Sequence, residues 1–232
     1  MKKIKLLTVS VVILLGSFVA NGQEFNVEKI TGKVLVMQDM QEDYREVKVG
    51  QKLSGSDLII TNENSLIQLS KDGNRFLLKG NSALGLNYIK EVSINDLLLA
   101  LTMEEIRNLP KDKLNGAKST AVYGTKESNK ISGKVGENEL GYKKINGARQ
   151  LAESGYEESA VIVAKETYRK YPATKLLFND RIYFADLLYK LGLSREALSE
   201  YNDISKIELN EKDKSIISKK IEEASLAVAN EK

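Results

Sequence analysis

The sequence predicts an α+β protein of two modules: a small antiparallel β-sandwich or barrel, followed by an α-helical repeat of helical hairpins. Three observations predict it. Between residues 25 and 91, short apolar runs alternate with glycine and Asn/Asp turns. From residue 146 to residue 232 the apolar spacing becomes helical, and four residues recur at a single offset. Polar sequence rich in Lys, Asn, Ser and Gly separates the two patterns.

Residues 1–22 have the layout of a secretory signal peptide. Lys2, Lys3 and Lys5 precede an apolar run from Leu6 to Ala20, and Ala20-Asn21-Gly22 supplies a small-residue cleavage site. The run is interrupted by Thr8, Ser10, Gly16 and Ser17, and it falls short of the about 20 apolar residues that a bilayer span needs. The expectation is an exported protein of the bacterial periplasm or cell envelope with no stable membrane span after cleavage. Retention of the segment as an anchor is the weaker reading.

Strands are expected at Val34-Leu35-Val36-Met37, Leu58-Ile59-Ile60 and Leu66-Ile67-Gln68-Leu69. Asp72-Gly73 between Leu69 and Phe76-Leu77-Leu78 is a hairpin signal, because both residue types tolerate the positive φ of a tight turn. Val36, Val47, Val49, Leu58, Ile60, Ile67, Leu69, Phe76 and Leu78 form the expected core. Residues 92–145 are expected to hold one helix and a flexible linker. Ser93 caps that helix, Leu97, Leu98, Leu101 and Ile106 line it, and Pro110 closes it. Ala121-Val122-Tyr123, within 119–125, is expected either to add a strand to the β-module or to lie on the helical module.

In the helical module Ala148, Leu151, Gly155 and Ala160 recur as Ala185, Leu188, Gly192 and Ala197, each pair 37 positions apart. Coincidence at one offset points to a duplicated hairpin. The alanines let two helices approach closely, and each glycine supplies the positive φ that ends the first helix. A last helix from about Glu211 to Ala229, with Ile217, Ile221, Ala224 and Val228 on one stripe, is suited to covering the end of the repeat.

Composition narrows the chemistry. Removing the signal lowers Lys+Arg from 35 to 32, against 32 Asp+Glu, so the mature chain is formally neutral and a nucleic-acid partner loses its electrostatic basis. The chain has no His and no Cys, which removes the Ser-His-Asp triad, cysteine nucleophiles, His bases and nearly every zinc site. The adjacent pairs Glu104-Glu105, Glu157-Glu158 and Glu222-Glu223 read as solvated charge, because neighbours on a helix point about 100° apart. Ser215 and Lys219 lie four apart, but Lys212, Lys214 and Lys220 surround them, and a solvated ammonium stays protonated. Asn62-Glu63-Asn64 and Asp72-Gly73-Asn74 read as turns and not as calcium loops. No catalytic residue, metal or cofactor is expected.

Residues 146–209 resemble tetratricopeptide repeats. Ala148, Gly155, Ala160 and Pro172 match the first unit, and Ala185, Gly192, Ala197 and Tyr201 the second, with Leu209 where a proline is usual and extra residues near Tyr171-Pro172-Ala173-Thr174. The β-rich part resembles the FecR domain family of periplasmic proteins. Gly32-Lys33-Val34, Val49-Gly50-Gln51-Lys52-Leu53, Ser56-Asp57-Leu58-Ile59-Ile60-Thr61, Leu69-Ser70-Lys71-Asp72-Gly73, Asn81-Ser82-Ala83-Leu84 and Thr120-Ala121-Val122-Tyr123-Gly124-Thr125 carry that resemblance.

Together the resemblances imply a non-enzymatic protein-interaction or scaffold role with a protein partner in the cell envelope. The alternatives are a FecR-like periplasmic sensor and a cell-wall or polysaccharide-associated binding protein or enzyme. Tetratricopeptide geometry implies that Arg149 and Glu153 of one unit, with Asn179, Asp186, Tyr189 and Lys190 of the next, face a shared groove and bind the partner.

Overall fold

The computed structural model describes residues 23–38, 43–108 and 136–231. The signal peptide, Pro110 and the 119–125 segment lie outside them. The chain forms a β-module and a helical module, as the sequence predicts.

The strands are β1 (Glu24–Thr31), β2 (Val34–Met37), β3 (Tyr44–Glu46), β4 (Lys52–Ser54), β5 (Leu58–Thr61), β6 (Leu66–Lys71), β7 (Asn74–Lys79) and β8 (Ser82–Gly85). They make two four-stranded sheets, ordered β4-β1-β6-β7 and β3-β2-β5-β8, and every pairing is antiparallel. Alternation at period two places Phe25, Val27, Ile67, Leu69, Phe76 and Leu78 of the first sheet in one core with Val34, Val36, Ile59 and Leu84 of the second. The β6–β7 hairpin turns at Asp72 (φ 51°) and Gly73 (φ 81°), both in the left-handed region that a two-residue turn demands. Gly32 (φ 68°) turns the chain from β1 to β2, where an added Cβ would stand 2.5 Å from Ser65 Oγ. That hydroxyl accepts the Lys33 backbone N–H at 2.9 Å.

The expected β core holds with one correction. Val49 is 63% exposed, because it lies in the turn before β4 and not on a strand. Leu58 and Ile60 are buried on the outer face of the second sheet, with Ala83. All four residues of β5 are consequently buried, as expected of a strand covered on both faces.

The helices are α1 (Ile94–Asn108), α2 (Glu137–Glu153), α3 (Glu157–Lys170), α4 (Phe178–Lys190), α5 (Ser194–Ile204) and α6 (Glu211–Asn230). Ser93 caps α1: its Oγ accepts the Asp96 backbone N–H at 3.1 Å. Leu97 and Leu101 are buried, whereas Ile106, expected on the same stripe, is exposed. Residues 137–145, expected to be linker, are the first turns of α2. Their Glu, Asn and Gly content disguises a helix whose formation depends on its packing.

The duplicated unit is visible in backbone geometry. In the first hairpin Tyr156 N–H donates to Leu151 O at 3.1 Å and Gly155 N–H to Ala152 O at 3.0 Å; 37 residues on, Leu193 N–H donates to Leu188 O at 2.9 Å and Gly192 N–H to Tyr189 O at 3.0 Å. This is the Schellman pairing, and it needs the positive φ of Gly155 (91°) and Gly192 (79°). Ala148, Ala160, Ala185 and Ala197 are all buried in the helical core, so α2 packs on α3 and α4 on α5 through small residues. Asn210 caps α6, its side chain accepting the Asp213 N–H at 2.9 Å, and Ile217 and Ala224 anchor that helix.

The modules are joined where α2 covers the edge strand β8. A Cβ on Gly147 would stand 2.2 Å from Ala83 O, so helix and strand backbones touch only because residue 147 has no side chain. Around this contact Gln150 Nε2 donates to Ser82 Oγ at 2.6 Å, Lys79 N–H donates to Gln150 Oε1 at 2.6 Å, and Asn146 Nδ2 donates to Asn81 O at 2.8 Å. Lys143, buried in the same face, reaches Asn81 Oδ1 at 2.9 Å and Thr61 O at 3.2 Å. An edge strand that would otherwise offer free backbone groups is thereby closed.

Candidate functional site

The six residues expected to line the groove fall into three places. Arg149, late on α2, stacks its guanidinium 4.2 Å from the centroid of the Tyr183 ring and donates from Nη1 to Asp180 Oδ1 at 2.8 Å. This ties α2 to α4 beside Asn179, which is exposed at the start of α4. Glu153, near the end of α2, is also exposed.

Lys190, at the end of α4, donates to Glu157 Oε1 of α3 at 2.5 Å. That hydrogen bond is the chief reason the ammonium holds its proton more tightly than an ordinary lysine.

Asp186 and Tyr189 come together in the third place. Asp186 Oδ1 accepts the Tyr201 hydroxyl at 2.6 Å, and the Lys220 ammonium of α6 donates to both Asp186 oxygens at 2.7 and 2.9 Å. Burial, and then the hydrogen bond to the Asp186 carboxylate, push the Tyr201 hydroxyl well above its ordinary pKa. A cavity of about 100 Å³ lies among Asp186, Tyr189, Tyr201, Lys220 and Glu223. Tyr189 is 40% exposed at its rim.

The six residues differ in what already holds them. Arg149, Asp186 and Lys190 are engaged in contacts between helices of this chain, because oppositely charged residues on neighbouring helices lie within reach of them. Glu153, Asn179 and Tyr189 are exposed, as is Lys190 despite its ion pair.

The carboxylate pairs divide as well. Glu104, expected in solvent, is 5% exposed and accepts from Arg107 Nη1 at 2.6 Å and from Arg169 Nε at 2.5 Å, joining α1 to α3. Ser215 and Lys219 are exposed as expected. Among the described residues no group of three or more His, Cys, Asp or Glu could hold a metal ion, and no helix is long and apolar enough to cross a membrane.

Several buried polar residues were not anticipated: Lys143 at the module junction, and Arg181 and Glu200 between α4 and α5. Arg181 and Glu200 carried a signal in the sequence, and Lys143, among Glu139, Asn146 and Gln150 on its helical face, did not. Arg181 precedes Ala185 and Leu188 at the spacing of a single helical face, so a guanidinium had been placed on an apolar stripe. Glu200 stands in the same relation to Ala197 and Ile204.

No protein-family model, curated protein or solved structure matches the chain.

Proposed function

We propose that this chain is an exported, non-enzymatic protein of the bacterial cell envelope whose helical module holds a protein partner, a FecR-like β-module serving as the platform beneath it. The observation that carries this reading is the duplicated hairpin. Two units with identical glycine-dependent ends, 37 residues apart, stack through buried alanines and present the solvent-facing Glu153, Asn179 and Tyr189 from their first helices. A repeat that fixes its own spacing in this way suits recognition of an extended segment. The lysine-led apolar segment at 1–22 supports export.

The test is site-specific photo-crosslinking from Asn179 in the mature chain within envelope extract, compared with the Tyr189→Ala plus Glu153→Ala variant. The crosslinked partner should be lost in the variant while the circular dichroism spectrum is kept. A partner set indifferent to the substitutions would remove the groove from the reading.

The sensor alternative draws support from the module junction, since a buried polar contact such as Lys143 to Asn81 couples the two modules mechanically. It would gain if crosslinking survived the groove substitutions but failed in Leu77→Asp, at a 40% exposed position of β7.

A further inference from the structure

A cavity of about 280 Å³ opens between α3, α4 and α5, lined by Lys165, Tyr168, Arg169, Lys175, Arg181 and Glu200 among others. Asp186, five positions beyond Arg181, is turned about 140° from it on α4, and Tyr189, eight positions beyond, stands about 12 Å further along the helix. The cavity is therefore separate from the groove.

Its polar groups are unevenly matched. Glu200 receives two cations: the Lys165 ammonium, which donates to Oε1, and Arg181, whose Nη2 donates to Oε2 at 3.2 Å. One carboxylate thus faces two buried or half-buried positive charges. Arg169 is engaged with Glu104 at 2.5 Å, and Asp203, also on the lining, is paired with Lys206 at 2.6 Å. Lys175 forms no ion pair among the described residues. The balance on the wall is positive.

Two donors are left over. Among the described residues, Arg181 Nε and the Tyr168 hydroxyl are buried without a hydrogen-bond partner, on side chains that are 6% and 4% exposed. Buried donors are almost always satisfied, and one left unpaired costs stability. The two belong together: the Arg181 guanidinium lies 5.3 Å from the centroid of the Tyr168 ring. Burial raises the Tyr168 hydroxyl far above its ordinary pKa, the opposing field of Arg181 notwithstanding, so it stays protonated and can donate. At about 30 Å³ per water, the cavity has room for about nine waters, or a ligand with a similar number of heavy atoms.

We propose that this cavity binds a carboxylate group, with Arg181 Nε–H and the Tyr168 O–H as its specific donors and Lys165 and Lys175 supplying the attracting charge. A planar carboxylate suits the flat N–H fork of a guanidinium. The Glu200 and Asp203 carboxylates on the same wall disfavour a dianion such as phosphate. The carboxylate can come from a small free acid or from the C-terminal residue of a peptide.

The experiment uses the chain from residue 23 onward and three probes in calorimetric titration: propionate, N-acetyl-glycylglycine, and the C-terminal amide of that peptide. Arginine Nε–H signals are followed in parallel by NMR, the Arg181 signal being the one absent from Arg181→Lys. Binding of a carboxylate probe is expected to shift the Arg181 Nε–H signal downfield, and the amide is expected not to bind.

Tyr168→Phe removes a hydroxyl that has no partner among the described residues, so its urea midpoint should equal or exceed that of the parent. Its affinity for the carboxylate should fall by about fivefold, the loss of one hydrogen bond. Propionate binding as well as the peptide would identify a free acid as the source, and binding of the peptide alone would identify a C-terminus. Absence of saturable binding by both carboxylates, equal binding of the amide, or full affinity in Tyr168→Phe would each overturn the proposal.

Discussion

Replacing Gly147 by alanine probes the contact that makes one body of two modules. The added Cβ would stand 2.2 Å from Ala83 O and 3.0 Å from Ala83 C, and both are backbone atoms that no rotamer change can move. An ordinary carbon-to-oxygen approach is about 3.3 Å, so α2 must retreat from β8 by roughly 1 Å. Three of the hydrogen bonds across the junction, those of Gln150 and Asn146 at 2.6, 2.6 and 2.8 Å, would then stretch past the bonding limit. Losing three of them costs about 3 kcal/mol, and the better helix propensity of alanine offsets about 1 kcal/mol. The net loss is roughly 2 kcal/mol, or about 1 M in urea midpoint for a slope of about 2 kcal/mol/M. The assay is urea unfolding followed by far-UV circular dichroism, with hydrogen exchange at residues 79–85 as a local readout. Gly136→Ala is the control, since its Cβ meets only Glu139 Cβ, at 3.9 Å. A midpoint for Gly147→Ala at or above that of the parent, with unchanged exchange in β8, would refute the close-approach reasoning.

Two further outcomes are expected. Asp186→Asn removes the charge that draws Lys220 and Tyr201 onto α4, and with both ionic side chains partly solvated the loss should be about 1 kcal/mol. It should appear as faster limited proteolysis between α5 and α6, and an unchanged cleavage rate would show that Ile217 and Ala224 hold α6 without the clamp. Glu166 is the pH-sensitive group. Burial raises its pKa, but hydrogen bonds from Lys170 and Tyr88 outweigh burial and leave the carboxyl below its ordinary value. A carboxyl depressed on folding stabilises the protein above its unfolded pKa of about 4.3, and that contribution is lost as pH falls through the folded value. Glu166→Gln should therefore lower the urea midpoint near neutral pH and flatten its decline in acid, and parallel curves for the two proteins would exclude the mechanism.

What the sequence makes legible is what neighbouring residues decide. Asp72-Gly73 turns β6 into β7, Ser93 starts α1, and Gly155 and Gly192 end α2 and α4, because each acts on backbone groups within a few positions. Period-two alternation gives Ile67, Leu69, Phe76 and Leu78 their inward face for the same reason. The failures lie where distant segments meet. Val49 alternates with Val47 as a strand residue would but lies in a turn, and Glu104 looks solvated until Arg169 of α3 reaches it. Residues 137–145 look like linker because their helicity is settled by β8 and not by propensity. The groove residues show the same limit. The tetratricopeptide resemblance implies a groove-facing Arg149 and Asp186, but only the packing of α4 and α6 reveals that Asp180 and Lys220 already hold them.

Residues that break a pattern were therefore the more informative signals. Gly147 interrupts a helix at a cost of about 1 kcal/mol relative to alanine, Arg181 places charge on an apolar stripe, and Lys143 is buried, where an uncompensated ion would be severely destabilising. None of these is required by local structure, so each implies a compensating contact elsewhere. For Gly147 and Lys143 that contact is the β8 edge, with Ala83, Asn81 and Thr61. Glu200 compensates only part of Arg181, and among the described residues the Nε–H beside the Tyr168 hydroxyl has no acceptor. The carboxylate proposed for that cavity would stand to Arg181 as the β8 edge stands to Lys143.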